Sequence, residues 1–239
     1  MTEAHPGGRA PAAPPSSGAA VDTRPAQDEP PRRYTLGYQP ALDGIRALSV
    51  AAVLAFHAGY SWARGGYLGV DAFFVLSGYL ITSLLIVEWR RTGRISLTGF
   101  WARRARRLLP ALYLVLLWMV CYAVIFSHTV RPDRLREDVL AVLAGISNWW
   151  PLIIDREYFT PLRHMWSLSI EQQYYVVWPL LFLLFIRVAR NPMKGLLYGT
   201  LVVGLISVLL SVWLYDPNVV PTRIHFGTDT RAQSLLVGA

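Results

Sequence analysis

Arg46 and His57 stand eleven residues apart in a stretch that is otherwise nearly all apolar. Eleven residues turn an α-helix through about 1,100°, so the two side chains share a face to within about 20° and sit roughly 16 Å apart along the axis. The arginine is a fixed cation suited to an anion, and the histidine is a base with an ordinary pKa near physiological pH. A plainer reading of this span makes Arg46 an anchor at the membrane surface and His57 a packed or interfacial histidine. Asp71, His164 and Glu171 then add titratable groups where two further apolar stretches begin. Each acid alone fits the first turns of a helix. Their convergence with His57 on one level argues for a site in which Asp71 or Glu171 orients the imidazole as a general base.

A second set of residues is basic. In Phe100-Trp-Ala-Arg103-Arg104-Ala-Arg106-Arg107-Leu-Leu-Pro110, a helix makes Arg103 a neighbour of both Arg106 and Arg107. The cationic face so formed suits anionic lipid headgroups, and its guanidinium forks equally suit a phosphate clamp.

These groups need a scaffold, and the composition names it. Of 239 residues, 54% are hydrophobic and 16% charged, with a mean hydropathy of +0.34. A soluble domain carries nearer a quarter of charged residues. The apolar residues are blocked: residues 68–87 contain one charge (Asp71), 108–127 none, 166–186 one (Glu171) and 196–215 none. Each block is long enough to cross about 30 Å of hydrocarbon as a helix. The chain is therefore expected to be an all-α, polytopic integral membrane helix bundle. Its spans are predicted near 43–62, 68–88, 108–128, 166–187 and 196–215, with Asp43 capping the first. Residues 139–154, interrupted by Asn148-Trp-Trp-Pro151, are expected to re-enter or lie at the interface rather than cross.

Residues 1–37 hold seven Pro, seven Ala, four Arg and four acids. A disordered tail is expected there, followed by a membrane domain over 38–239. Residues 231–239 read as the start of a further helix, so the chain is expected to be truncated. The lone Cys121 excludes an intrachain disulfide and a cysteine-based zinc site, and no metal site is expected. A net charge of +8 raises the question of nucleic acid, but 7 of the 23 basic residues fall between Arg90 and Arg107, in one joint between apolar blocks. That pattern is a topology signal, placing this joint and the N-terminus in the cytoplasm of a cell-membrane protein.

Five blocks resemble the membrane acyltransferase family 3: Leu42-Asp-Gly-Ile-Arg46 with His57; Gly66-Tyr-Leu-Gly-Val-Asp71-Ala-Phe-Phe-Val-Leu-Ser-Gly78; Arg103 to Pro110; His164-Met-Trp-Ser-Leu-Ser-Ile-Glu171-Gln-Gln-Tyr-Tyr; and Phe226-Gly-Thr-Asp-Thr-Arg231. The resemblance implies a membrane enzyme moving an acyl group, commonly acetyl from coenzyme A, to a hydroxyl of a carbohydrate or other envelope or glycosylated acceptor. The donor is a substrate, and no permanently bound cofactor is implied. The family's Arg and His pattern matches Arg46 and His57, and its basic motif matches Arg103 to Arg107. Its frequent second acid after Glu171 is replaced here by Gln172. A pantetheine arm is of the length separating Arg46 from His57, so Arg46, Arg103, Arg104, Arg106 and Arg107 are expected to take the donor's phosphates. His57, Asp71 and Glu171 are the expected catalytic groups, with His164 on the acceptor side. Ser77 and Ser167 read as packing serines. A transporter or a non-catalytic membrane partner would also carry charges within its spans, although a transporter should show paired repeats and none is visible.

Overall fold

The computed structural model describes residues 1–2, 39–126, 132–154, 162–219 and 221–239. The expected disordered tail thus lies almost wholly outside the described residues. What is described is helical, with no strand: α1 (Pro40–His57), a 3₁₀ segment (Ser61–Tyr67), α2 (Leu68–Thr92), α3 (Leu97–Ile125), α4 (Pro132–Leu143), α5 (Trp150–Ile153), a 3₁₀ turn (Arg163–Met165), α6 (Trp166–Val188), α7 (Pro192–Trp213), α8 (Thr222–Phe226) and α9 (Thr228–Val237). Among the described residues, five segments are long and apolar enough to cross a membrane: 40–57, 61–92, 97–125, 163–188 and 192–213.

Their outward faces are those of a chain in lipid. On α7, Leu201, Leu205, Leu209 and Val212 are exposed while Thr200 and Ser207 are buried. Polar residues face the bundle and satisfy one another there, as when the Trp178 indole donates to Thr82 Oγ1 at 2.8 Å. One apolar core joins α2, α6 and α9 through Phe74, Ile81, Ile170, Trp178, Phe182 and Leu235. A second joins α3 to α4 through Leu112, Leu116, Leu135 and Val142.

Helix boundaries differ from expectation for local reasons. α1 starts three residues before Asp43, with Pro40 at its first turn and Gln39 as N-cap. Proline suits that position because its missing N–H has no helical partner to lose. α3 starts eleven residues before the expected span, at a Ser96 cap whose Oγ accepts from Gly99 N at 3.2 Å. The arginine cluster therefore belongs to the first turns of the span itself. Residues 139–154 form no single helix: α4 ends at Leu143, and a turn with Gly145 at φ +67° leads to the single turn of α5.

Side-chain pairs fix the relative directions. Ser77 meets Glu171, and five residues on Thr82 meets Trp178, so α2 and α6 run parallel. The connection between α3 and α6 accordingly leaves and rejoins one end of the bundle, as the re-entrant reading requires. Gly66 lets α1 close on the 3₁₀ segment and Gly69 lets it close on α2, for a Cβ at Gly69 would stand 2.5 Å from the Ser49 carbonyl oxygen. At Gly78 a Cβ would collide with the Leu235 carbonyl of α9. Gly78→Val should therefore cost about 1–3 kcal/mol as an overpacked interface, read as a lower thermal midpoint in detergent. Gly44→Ala, with nothing within 4 Å of the added atom, should not destabilise.

Candidate active site

His57 is the last residue of α1, exposed, with Nδ1 2.8 Å from the Val53 carbonyl oxygen. A carbonyl only accepts, so Nδ1 carries the proton and Nε2 presents a lone pair. Backbone, rather than a carboxylate, therefore sets the tautomer. His57 opens onto a cavity of about 730 Å³ whose other polar lining is Arg163, His164, Ser167, Glu171 and His225. The structure thus brings His57, His164 and Glu171 together.

Glu171 lies beside Ser77, six residues along α2 from Asp71, rather than level with Asp71 as expected. Its Oε1 accepts from Ser77 Oγ at 2.5 Å and its Oε2 from the Tyr175 hydroxyl at 3.3 Å, while Tyr175 also donates to Ser77 at 3.2 Å. Arg46 and Arg104 both lie within electrostatic reach of this carboxylate. Arg46, in the second turn of α1 rather than at its terminus, also pairs with Asp43 at 3.1 Å.

Asp71 is engaged elsewhere than at His57. Its Oδ1 accepts from Arg231 Nη1 at 3.1 Å and from Ser234 Oγ at 2.9 Å, tying α2 to α9. Arg231 in turn donates from Nη2 to His225 Nδ1 at 2.8 Å and from Nε to the His225 carbonyl at 3.1 Å. The His225 ring lies against Trp166, tilted at 49° with the ring centres 4.7 Å apart. Burial first, then Arg231 and Arg163, hold the His225 pKa down at about 4. Because the unfolded histidine takes a proton near pH 6.5, acid favours the unfolded state from about that pH down to the folded value, and only there. The docking of α8 should hence weaken between those limits, measurable as a falling thermal midpoint that His225→Gln makes shallower.

The basic residues divide. Arg103, Arg104 and Arg107 line a second cavity of about 540 Å³ with Arg91 and Glu88, and Arg103 pairs with Glu88 at 2.9 Å. Arg104 turns inward, 5.7 Å from the Phe100 ring centre and 5.8 Å from that of Tyr175. Arg106 is exposed and lines neither cavity, its Nε donating to the Ala102 carbonyl of its own helix at 3.2 Å. Arg104, which lines the arginine cavity, thus lies over the ring of Tyr175, whose hydroxyl donates to Glu171 at the cavity of His57.

An acyltransferase-domain profile matches residues 39–227, most of the chain. The chain belongs to acyltransferase family 3. It is 45% identical over 212 residues to the peptidoglycan O-acetyltransferase OatA of Listeria monocytogenes, covering 86% of this chain and 34% of that one. The O-acetyltransferase OatA of Staphylococcus aureus is 39% identical over 215 residues, covering 87% and 35%. The chain therefore spans about a third of the length of these curated relatives. No solved structure matches. Within this family framework, Tyr175, His225 and Arg231 are the groups that sequence reasoning left without a role, and Ser77 was read as packing. The last two blocks of the resemblance end at Tyr175 and Arg231, and that was the available signal.

A polar network braces the acyltransferase fold beside the site. Buried Asn148 donates to the Phe226 carbonyl and to Thr228 Oγ1, both at 2.9 Å, and Gln173 Nε2 donates to the Gly145 carbonyl at 2.7 Å and to Asn148 Oδ1 at 2.8 Å. Thus Asn148, which interrupts the expected helix over 139–154, is the residue that docks its turn on α6 and α8.

Proposed function

We propose that this membrane domain carries out the acyl-transfer step of an O-acetyltransferase acting on a carbohydrate hydroxyl of the cell envelope, with His57 as general base. The observation that carries the reading is the placing of His57: its Nδ1 is held by the Val53 carbonyl, which leaves Nε2 as the free ring nitrogen, and the residue lines a cavity large enough for a sugar unit. The names of the relatives supply the acceptor class, since the Listeria protein is a peptidoglycan O-acetyltransferase.

The donor in this reading is an acyl-coenzyme A, its phosphates against Arg103, Arg104 and Arg107 at the cytoplasmic face of the plasma membrane. In this reading the thioester arm passes from the arginine cavity by Arg104 and Tyr175 toward Glu171 and the cavity of His57. Arg46 acts further in, on the arm or on Glu171, rather than on the donor's phosphates. His164 stands on the acceptor side. The acyl carbon accepts the hydroxyl oxygen, His57 takes the proton, and the thiol of coenzyme A leaves.

Donor kinetics on the full-length protein test this assignment. Arg103→Ala and Arg104→Ala should raise the Michaelis constant for acetyl-coenzyme A about tenfold, the loss of a charge-assisted contact of about 1.4 kcal/mol. Added salt should mimic them at exposed Arg103 more than at Arg104. Arg106→Ala should move the constant least. Absence of transfer from radiolabelled acetyl-coenzyme A, with transfer from another acetyl donor, would remove coenzyme A from the reading and leave His57 in place.

A further inference from the structure

Of the three histidines that line this cavity, His57 and His225 have opposite ring polarity. His57 donates from Nδ1, whereas His225 accepts at Nδ1, because the guanidinium of Arg231 has only N–H groups to offer. The His225 proton must therefore sit on Nε2, which has no hydrogen-bond partner among the described residues. It is not sealed either, being absent from the buried, unpartnered polar atoms. Ring position is fixed from three sides: Arg231 holds both Nδ1 and the backbone carbonyl, Trp166 packs tilted against it at 4.7 Å, and Phe226 stands edge-on at 4.9 Å. Arg231 is itself held by Asp71, so α2, α6, α8 and α9 all contribute to the placement of one N–H group.

We propose that His225 is the electrophilic group of the site, its Nε2–H donating to the carbonyl oxygen of the acyl group as negative charge develops there. The inference rests on the acyl-transfer reading above and adds a residue to it. The acceptor hydroxyl gives its proton to His57 Nε2 and forms the new C–O bond. The tetrahedral oxygen so made is received by His225. Collapse re-forms the carbonyl and breaks the C–S bond, and the departing thiolate takes the proton from His57. A preorganised donor directed at a developing oxyanion needs no reorganisation during the step, the property that makes such groups effective.

The surrounding charges keep His225 in this role. Arg231 from α9 and Arg163 from the turn before α6 oppose its protonation, Asp71 from α2 favours it, and burial opposes it most, so the ring stays neutral down to about pH 4. His164 and Glu171 line the same cavity. A neutral imidazole is the form that donates without surrendering its proton, as other neutral-histidine electrophiles do.

Three variants of the full-length protein, assayed in liposomes with acetyl-coenzyme A and a peptidoglycan fragment, separate the outcomes. His225→Phe should lower kcat by about 10²–10³-fold, the effect of losing one oxyanion donor, with both Michaelis constants within about threefold. His225→Gln, which keeps an N–H in a similar place, should recover at least tenfold of that loss. His57→Ala reports on the underlying reading. Wild-type kcat in His225→Phe beside an inactive His57→Ala overturns the electrophile and leaves the base intact, whereas wild-type turnover in His57→Ala overturns the acyl-transfer reading and the electrophile with it. If His225→Phe does not accumulate, ¹⁵N spectra of histidine-labelled wild-type protein decide instead, with the His225 signal assigned by its loss in His225→Gln. A protonated Nε2 and bare Nδ1 support the role, and the reverse tautomer overturns it.

Discussion

His57→Ala in the full-length protein should abolish acyl transfer, with a fall of about 10³-fold or more, and leave the amount of protein in the membrane unchanged. General-base catalysis by a positioned side chain contributes about 10²–10⁴-fold, and here the His57 imidazole lines the cavity with Nδ1 held by its own helix and Nε2 left as the acceptor. The structural cost is small because the ring is exposed at the end of α1. It gives up one bond to its own helix and an edge-on contact with Phe56 at 5.3 Å. Initial-rate measurement alongside quantitative immunoblotting of the membrane fraction checks both halves. Turnover within tenfold of wild type would assign His57 to packing, and a parallel fall in abundance would make the loss structural.

The residues that carry this site were unevenly visible in the sequence. His57 was visible because a histidine in an apolar span is costly, and because its spacing from Arg46 can be converted to a face and a height. Glu171 was visible for the same reason, but its depth was not. Level was inferred from distance to the span's end, whereas the structure sets it by the stagger of α2 against α6. The basic cluster was read as the border of a span because hydropathy is low there, and hydropathy does not see a Ser96 cap that starts α3 beneath it. Which arginine turns inward depends on the rings it meets, Phe100 and Tyr175, the second of them 71 residues along the chain from Arg104. Residues 139–154 show the opposite case. Asn148 was recognised as an interruption, and its cause is a network with Gln173 and Thr228 that no local pattern contains.

Asp71→Ala is expected to produce the second large effect, and a different one: loss of folded protein together with loss of turnover. Sequence position put Asp71 level with His57, where a carboxylate would orient an imidazole. The carboxylate is instead occupied by Arg231 and Ser234, across the contact between α2 and α9. Both side chains of the ion pair are largely shielded, 20% and 27% exposed. Removing the acid strands a guanidinium in that position at a cost of about 2–4 kcal/mol, toward the lower side of values for fully buried pairs. Thermal midpoint and membrane abundance should therefore fall with activity, and Asp71→Asn, which still accepts from Ser234, should fall less. Exchanging the partners, Asp71→Arg with Arg231→Asp, should restore part of the thermal midpoint because the pair is re-formed in reverse. It should not restore turnover, because an aspartate at 231 has no N–H to give His225 Nδ1 and no longer fixes its proton on Nε2. An Asp71→Ala protein of full abundance and unchanged midpoint that had lost only turnover would put the carboxylate back in service to His57.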